Sequence, residues 1–335
     1  MKALVSVIVV GYNSVRDLPD CLSSVFSMDY PDFEVIYVDN GSSDGSAGYV
    51  RRRFKGVKIV EAGGNMGYGG ACNLGAAHGV GEYLLFLNPD VRVDRGALRE
   101  LMGVMLSDPG IGVCGGKILF WEGDRIQSLG GLYNPETGYA IDLHFGEGGK
   151  AVKGYSRPTP VFHCCGACLL VRRRAFDESG GFDGDYFLYF DEVDLCWRIR
   201  MMGYEVLVTP YPIAYHRITV GRAHGWRSHL LIERNSLQTT IKNYELGNLL
   251  KYLPMQLSIR LLASLLLFTL GRSGYAAAIL LGVYRMLRGF RRAYGKRLQI
   301  QSRRRVKDES IFKRDVILPL PVLLRHILRV LPDLR

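Results

Sequence analysis

Acidic residues nearly vanish from the last third of this chain: residues 222 to 335 hold 6 Asp and Glu against 22 Lys and Arg, whereas residues 1 to 221 hold 26 against 21. That imbalance excludes one evenly charged globule and predicts an acidic folded part joined to a basic tail. Cysteine is sparse and odd in number, with 7 residues at 21, 72, 114, 164, 165, 168 and 196. Such usage argues against a disulfide framework and fits a reducing compartment. Cys165-Gly-Ala-Cys168 lies near His163, but no second ligand pair follows at zinc spacing, so buried thiols are expected there. The apolar run from Leu4 to Val10 is short and lacks a small-residue cleavage site, so a first strand is expected rather than a signal peptide. No internal repeat is present. With 48% hydrophobic and 22% charged residues, general disorder is excluded, and 335 residues suggest about two domains.

What is present alternates. Val5 to Val10 is β-branched and almost wholly apolar, as a strand covered on both faces must be. A helix is predicted over Leu18 to Met28, then a strand at Val35 to Val38, a helix through Val50 to Phe54, a strand at Val57 to Val60, a helix near Ala71 to Ala77 and a strand at Leu84 to Leu87. The order implies an α/β fold with an open, mostly parallel sheet and a ligand crevice at the carboxyl ends of its strands. From about 95 to 160 the alternation weakens, which suggests an insertion facing the crevice. A further strand, Ala167 to Val171, precedes a helix from about Asp191 to Met202.

Every polar motif in the first 94 residues falls at a strand's carboxyl end. In "VDNGSSDGS", 38 to 46, capping explains Ser42 to Asp44, but not Asp39, whose carboxylate stands where a nucleobase N–H could donate to it. "GGNMGYGGACNLG", 63 to 75, is a glycine-rich loop before a helix, suited to phosphate but common in itself, and not the dinucleotide fingerprint. "NPD", 88 to 90, is either a type I turn or a place where Asp90 holds Mg²⁺ or Mn²⁺ against a diphosphate. In "YFLYFDEVDLCWR", Asp194 and Arg198 form an i,i+4 pair, while Asp191 and Glu192 follow an aromatic run able to exclude water and raise a carboxylate into a general base's range. His216 in "AYHR" is a candidate metal ligand.

Taken in order, "VSVIVVGYN", "VDNGSSDGS", "GGNMGYGGACNLG", "LFLNPDV", "GGFD", "YFLYFDEVDLCWR" and "YH" resemble the family 2 glycosyltransferases, most closely the bacterial rhamnosyltransferase-like branch, over about residues 5 to 240. The resemblance implies a GT-A fold, a dTDP- or UDP-sugar donor, a divalent metal and inversion at the anomeric carbon. It places Tyr12, Asn13, Asp39, Gly67, Asn73, Asn88 and Arg234 on the nucleotide, and Asp90 and His216 on the metal. Where the family usually has Glu-Asp, this chain has Asp191-Glu192, so both remain candidates for the base. The Gln-x-x-Arg-Trp motif of processive synthases is absent, which implies one sugar per encounter.

The division expected is a transferase domain at 1–225 and a membrane-associating tail at 226–335. Leu261 to Tyr284 is long enough to span a bilayer, but Arg272 and two glycines interrupt it and arginines cluster behind it. Two amphipathic or re-entrant helices on an anionic cytoplasmic leaflet are expected, peripheral or monotopic, with a lipid-linked glycan acceptor in cell-surface polysaccharide synthesis. No RNA-module motif supports nucleic acid as partner. The competing expectation from another class is a non-catalytic, membrane-associated nucleotide-sugar-binding scaffold.

Overall fold

The computed structural model describes residues 3–149, 152, 155–217, 225–313 and 316–323. In chain order the elements are β1 (Val5–Gly11), α1 (Leu18–Phe26), β2 (Phe33–Asp39), α2 (Ser46–Arg53), β3 (Val57–Glu61), α3 (Gly67–His78), β4 (Tyr83–Leu87), β5 (Val91–Val93), α4 (Ala97–Ser107), β6 (Ile111–Phe120), β7 (Ile126–Ser128) and β8 (Gly131–Tyr133). There follow β9 (Ala140–Asp142), β10 (Thr159–Pro160), β11 (Cys168–Arg172), α5 (Arg173–Ser179), α6 (Asp191–Met201), β12 (Glu205–His216), α7 (Trp226–Asn243), α8 (Leu246–Thr269), α9 (Ser273–Arg303) and α10 (Asp308–Ile311).

The chain forms two compact units, Met1–Gly131 with Asp142–Ile218, and Leu132–Ile141 with Thr219–Arg335. The first is built on a sheet in the order β10-β12-β6-β11-β4-β1-β2-β3, with β5 on β12 and β7 on β6. Strands β4, β1, β2 and β3 run parallel, as do β6 and β12, while β11 is antiparallel to both its neighbours. The reason lies in the strand sequences. Val5, Val7 and Val9 enter one apolar layer with Leu18, Leu22 and Val25 of α1 and Leu98, Leu101 and Met105 of α4. Ile8 and Val10 enter the opposite layer with Ala71 and Ala76 of α3 and Leu195 and Ile199 of α6. A two-residue repeat, apolar on both faces, requires cover on both sides, and helices supply it.

Two expectations need correction. The weakly patterned stretch after residue 95 is not all insertion: it supplies β6, ten residues between β12 and β11 at the centre of the sheet. Its glycines concealed it. A Cβ on Gly115 would lie 2.7 Å from that of Cys164, and one on Gly116 2.7 Å from Ile213 Cγ2, so close packing takes the place of a side chain. The helix expected near Ala71 begins at Gly67, inside the glycine-rich segment.

In the second unit α8 is reversed in polarity. Gln256, Arg260 and Ser264, spaced by four, are buried together with Leu249, whereas Leu261, Leu262, Leu265, Leu266 and Phe268 are each more than half exposed. Arg260 Nε lies 2.8 Å from Glu233 Oε2 of α7, both side chains fully buried, and its guanidinium also donates to Thr137 O and Ser236 Oγ. Tyr139 OH donates to Glu233 Oε1 at 2.6 Å. The break between α8 and α9 falls at Leu270 to Arg272, where the interrupted apolar stretch predicted it.

Candidate active site

Short polar side chains join the carboxyl ends of β1 and β2. Asp39 ends β2 opposite Gly11 of β1. Its buried carboxylate accepts from Tyr37 OH and from the Ser42 amide, each at 3.1 Å, leaving lone pairs for a donor from a ligand. Asn13, in the left-handed region at φ 51°, accepts from the Ser43 amide at 2.8 Å and donates its own amide to Ser42 Oγ. Asp44 accepts from the Val15 and Ser46 amides; although burial raises its carboxyl, the Ser46 hydroxyl and these amides bring it below the usual range. Tyr12 stands half exposed at this edge.

Asn40 is a residue the motif reading passed over. It is buried; Nδ2 donates to Asn65 Oδ1 (3.1 Å) and Gly67 O (3.2 Å), and Oδ1 accepts from the Met66 amide (3.0 Å). One side chain thus fixes the glycine-rich turn to the end of β2. Its only signal in the sequence was a place beside Asp39.

Gly67, at φ 77°, receives the segment before α6: a Cβ there would stand 2.5 Å from Phe187 O, which accepts the Tyr68 amide at 2.8 Å. Asn73 belongs to the same joint, with Nδ2 donating to Phe182 O and Oδ1 accepting from Phe182 N. Phe187, Tyr189 and Phe190 all have φ near +70°, a conformation that persists only where surroundings enforce it and that clusters at functional sites. No sequence pattern announced this strained run.

The strained run delivers Asp191 and Glu192 to the first turn of α6. Asp191 is 2% exposed and neither oxygen makes a hydrogen bond of normal geometry. Burial pushes it up to about 6, opposed by its own amide and that of Gly69 in the first turn of α3. Glu192 is pushed up to about 8, first by burial, then by the charges of Asp191 and Asp142. It keeps some exposure and lies against Gly166, whose Cβ would be 3.8 Å from the Glu192 carboxyl carbon and 3.7 Å from the Tyr68 ring. Asp142, raised by burial to about 6 and bonded by Ser128 Oγ at 2.7 Å, is a third carboxylate that the sequence did not flag.

Asp90 and His216 meet through strand pairing. The β4 ladder continues to the Asn88 amide, which donates to Ala167 O, before Pro89 ends it. Strand β5 then runs antiparallel to β12, with Val91 opposite His216. His216 Nε2 comes within 3.1 Å of Asp90 Oδ1, and Nδ1 within 2.9 Å of Gln127 Oε1. Among the described residues no three His, Cys, Asp or Glu side chains converge. A hard divalent ion nevertheless fits the pair: cis ligands about 2.1 Å from an octahedral ion stand about 3.0 Å apart, and such ions complete their shells with phosphate and water. Arg234 belongs to α7 of the second unit, its Nε donating to Asn235 Oδ1 at 2.8 Å.

The chain is similar to several known proteins. Over 255 residues the chain is 28% identical to the N-acetylglucosaminyl-diphospho-decaprenol L-rhamnosyltransferase of Mycobacterium tuberculosis, covering 70% of this chain and 83% of that one. A low-salt glycan biosynthesis hexosyltransferase of Haloferax volcanii is 27% identical over 203 residues, 58% of this chain and 61% of the relative. The fold is similar to that of a mannosyltransferase from Pyrobaculum calidifontis in complex with GDP-Man and Mn²⁺, with TM-score 0.55, 19% identity and coverage of 86% and 88%. It is also similar to GalNAc-T7 with UDP, GalNAc and Mn²⁺, with TM-score 0.57, 16% identity and coverage of 72% and 48%. The GT-A architecture implied by the motifs is therefore the one the chain adopts. Residues 6–180 match the glycosyl transferase family 2 model, and with them the chain belongs to that family and is a glycosyltransferase.

Proposed function

We propose that the protein transfers one sugar from a nucleoside-diphosphate sugar, dTDP- or UDP-linked, to a hydroxyl of a lipid-linked glycan, with inversion. The observation that carries this reading is the pairing of two different acidic poles at one end of the sheet. Glu192 rests on Gly166; the next residue, Ala167, is bonded to Asn88, two residues before Asp90. One pole is a raised, partly exposed carboxylate; the other is a carboxylate paired with an imidazole.

In this reading Glu192 accepts the proton of the acceptor hydroxyl as that oxygen attacks the anomeric carbon and the bond to the nucleotide diphosphate breaks. Asp191, buried against the Gly69 turn, holds negative charge beside Glu192 and keeps its basicity high. Asp39, Asn13 and Tyr12 border the space for base and ribose, and the Gly67 turn borders the diphosphate. Asp90 and His216 would hold Mg²⁺ or Mn²⁺, which when bound supplies charge neutralisation for the leaving diphosphate. Relatives support the substrate classes: one is named for a diphospho-decaprenol acceptor, and two of similar fold are complexes with Mn²⁺ and either GDP-Man or UDP. The rhamnosyltransferase relative supports rhamnose as the sugar.

The second unit supports a site at the cytoplasmic membrane face. Helix α8 is long and apolar enough to cross a membrane and is mostly not buried, and Arg285, Arg288, Arg291 and Arg292 of α9 are exposed. An apolar outer face with a buried polar stripe suits lipid rather than water. Exposed arginines suit an anionic leaflet. We read α8 and α9 as a monotopic element that brings the chain to its lipid-linked acceptor.

The test is a panel of UDP-, dTDP- and GDP-sugars with a lipid extract as acceptor, with and without Mn²⁺, followed by NMR of the product's anomeric configuration. Metal-dependent, inverting transfer from one donor, lost in Asp90→Ala and Glu192→Gln, is the expected result. Transfer with retention, or turnover untouched by either substitution, would overturn it.

A further inference from the structure

We propose that Gln127 is a positioning residue for the cation, its side-chain amide holding the His216 ring in the tautomer that can bind metal together with Asp90. The proposal rests on reading Asp90 and His216 as the protein ligands.

Strand β7 is short and irregular where it meets β6. Ile118 pairs with Ser128, but the next residue, Leu119, pairs with Ile126, so Gln127 is the extra residue of a bulge. Bulges re-aim a side chain and are frequent beside active sites. Here the side chain is buried, 7% exposed, and its Oε1 reaches His216 Nδ1 at 2.9 Å. A carbonyl oxygen has no proton to give, so Nδ1 is the donor and carries the ring hydrogen. In a neutral imidazole the lone pair is then on Nε2, 3.1 Å from Asp90 Oδ1. Two lone pairs facing each other at that distance repel unless a cation or a proton lies between them. Outer residues that hold a ligating imidazole in this way select both its tautomer and its orientation.

The choice of an amide adds a second capacity. Turned over about Cγ–Cδ, the same side chain would donate to Nδ1; the ring proton would then reside on Nε2 and be donated to Asp90. Glutamine therefore satisfies the ring in both the ion-bound and the ion-free state. A carboxylate at this position could only accept and would hold the metal-binding tautomer, whereas an aliphatic side chain would hold neither.

The experiment uses the full chain and titrates Mn²⁺ by calorimetry and by the EPR signal of the free ion, alone and with UDP, dTDP or GDP. Wild type, Asp90→Ala, Gln127→Glu and Gln127→Leu are compared, and thermal unfolding without metal checks their folding. Binding should be lost in Asp90→Ala and weakened about 10–100-fold in Gln127→Leu. In Gln127→Glu it should be at least as tight as in wild type. A purely structural amide would make Glu and Leu equally harmful, which would overturn the proposal, as would Mn²⁺ affinity in Gln127→Leu indistinguishable from wild type. Should the Leu variant not fold, Gln127→Glu decides alone, and affinity below wild type is the contrary result. If wild type itself binds no Mn²⁺ under any nucleotide, the ligand assignment of Asp90 and His216 fails and this proposal with it.

Discussion

Strands β1 and β4 of the first unit and helix α8 of the second bury different kinds of side chain. In the first, Val5 to Val10 is apolar except for Ser6, Leu84 to Leu87 is apolar throughout, and Asp39, Asn88 and Asp90 stand at or just beyond the strand ends. In the second, α8 buries Gln256, Arg260 and Ser264 and turns leucines outward. The physics is the same in both: a surface is hidden from the surroundings that would not solvate it. On the reading proposed above, what differs is the surroundings, water around the sheet and lipid around α8.

Substitutions at the strand ends should have the largest effect on chemistry and little on the second unit. Glu192→Gln should lower turnover about 10²–10⁴-fold, the range for a lost general base, with donor binding retained in an equilibrium titration. Within the second unit, Glu233→Ala would leave Arg260 buried and unpaired, at a cost of about 3–5 kcal/mol in chemical unfolding followed in detergent. Glu233→Leu combined with Arg260→Met should recover most of it. If Glu233→Ala alone were neutral, the buried polar stripe would not be holding α8.

The outward leucines are tested by vesicle sedimentation. Leu265→Ser or Phe268→Ser should each weaken partitioning onto anionic vesicles about 10-fold, in keeping with roughly 1.5–3 kcal/mol per buried apolar side chain. Arg288→Gln should weaken it about 5-fold, in a salt-sensitive way, from about 1 kcal/mol per surface arginine. Binding unchanged by the leucine substitutions would assign that face to another protein. The smallest effect concerns stability. Glu192 has its folded pKa raised from 4.5 to about 8, so the native state holds its proton more firmly than the unfolded chain. That contribution is fully present below 4.5 and is lost as pH rises towards 8. Glu192→Gln should therefore stabilise the protein by roughly 0.5–2 kcal/mol at pH 8 and leave it unchanged at pH 4. Equal melting shifts at both pH values would contradict the raised carboxyl.

Much of the sheet was legible because its strands are apolar on both faces and its helices follow short turns; β1, β3 and β4 lie where the pattern put them. Strand β6 was not, because Gly115 and Gly116 achieve by close approach what side chains achieve elsewhere. Asp39, Asp90, Asp191, Glu192 and His216 stood out as charged or titratable residues at strand ends or a helix start. Asn40, Gln127 and Asp142 did not, since each acts through a partner distant in sequence: Gly67, His216 and Ser128. The left-handed backbone at Phe187, Tyr189 and Phe190 had no signal either, for aromatic residues do not ordinarily adopt it. Asn73, placed on the nucleotide by the resemblance, bonds the Phe182 backbone through both polar atoms of its amide.

The most direct test of the central claim, that Glu192 is the base and Asp191 its neighbour, is the pH dependence of kcat/KM for wild type and Asp191→Asn. The acid limb reports the free enzyme's base, and activity rises with pH as that base loses its proton. The account predicts a wild-type limb at about 8, with Asp191→Asn still active and its limb moved down because a neighbouring negative charge is gone. A wild-type limb at about 6, with activity abolished in Asp191→Asn, would make Asp191 the base and contradict it.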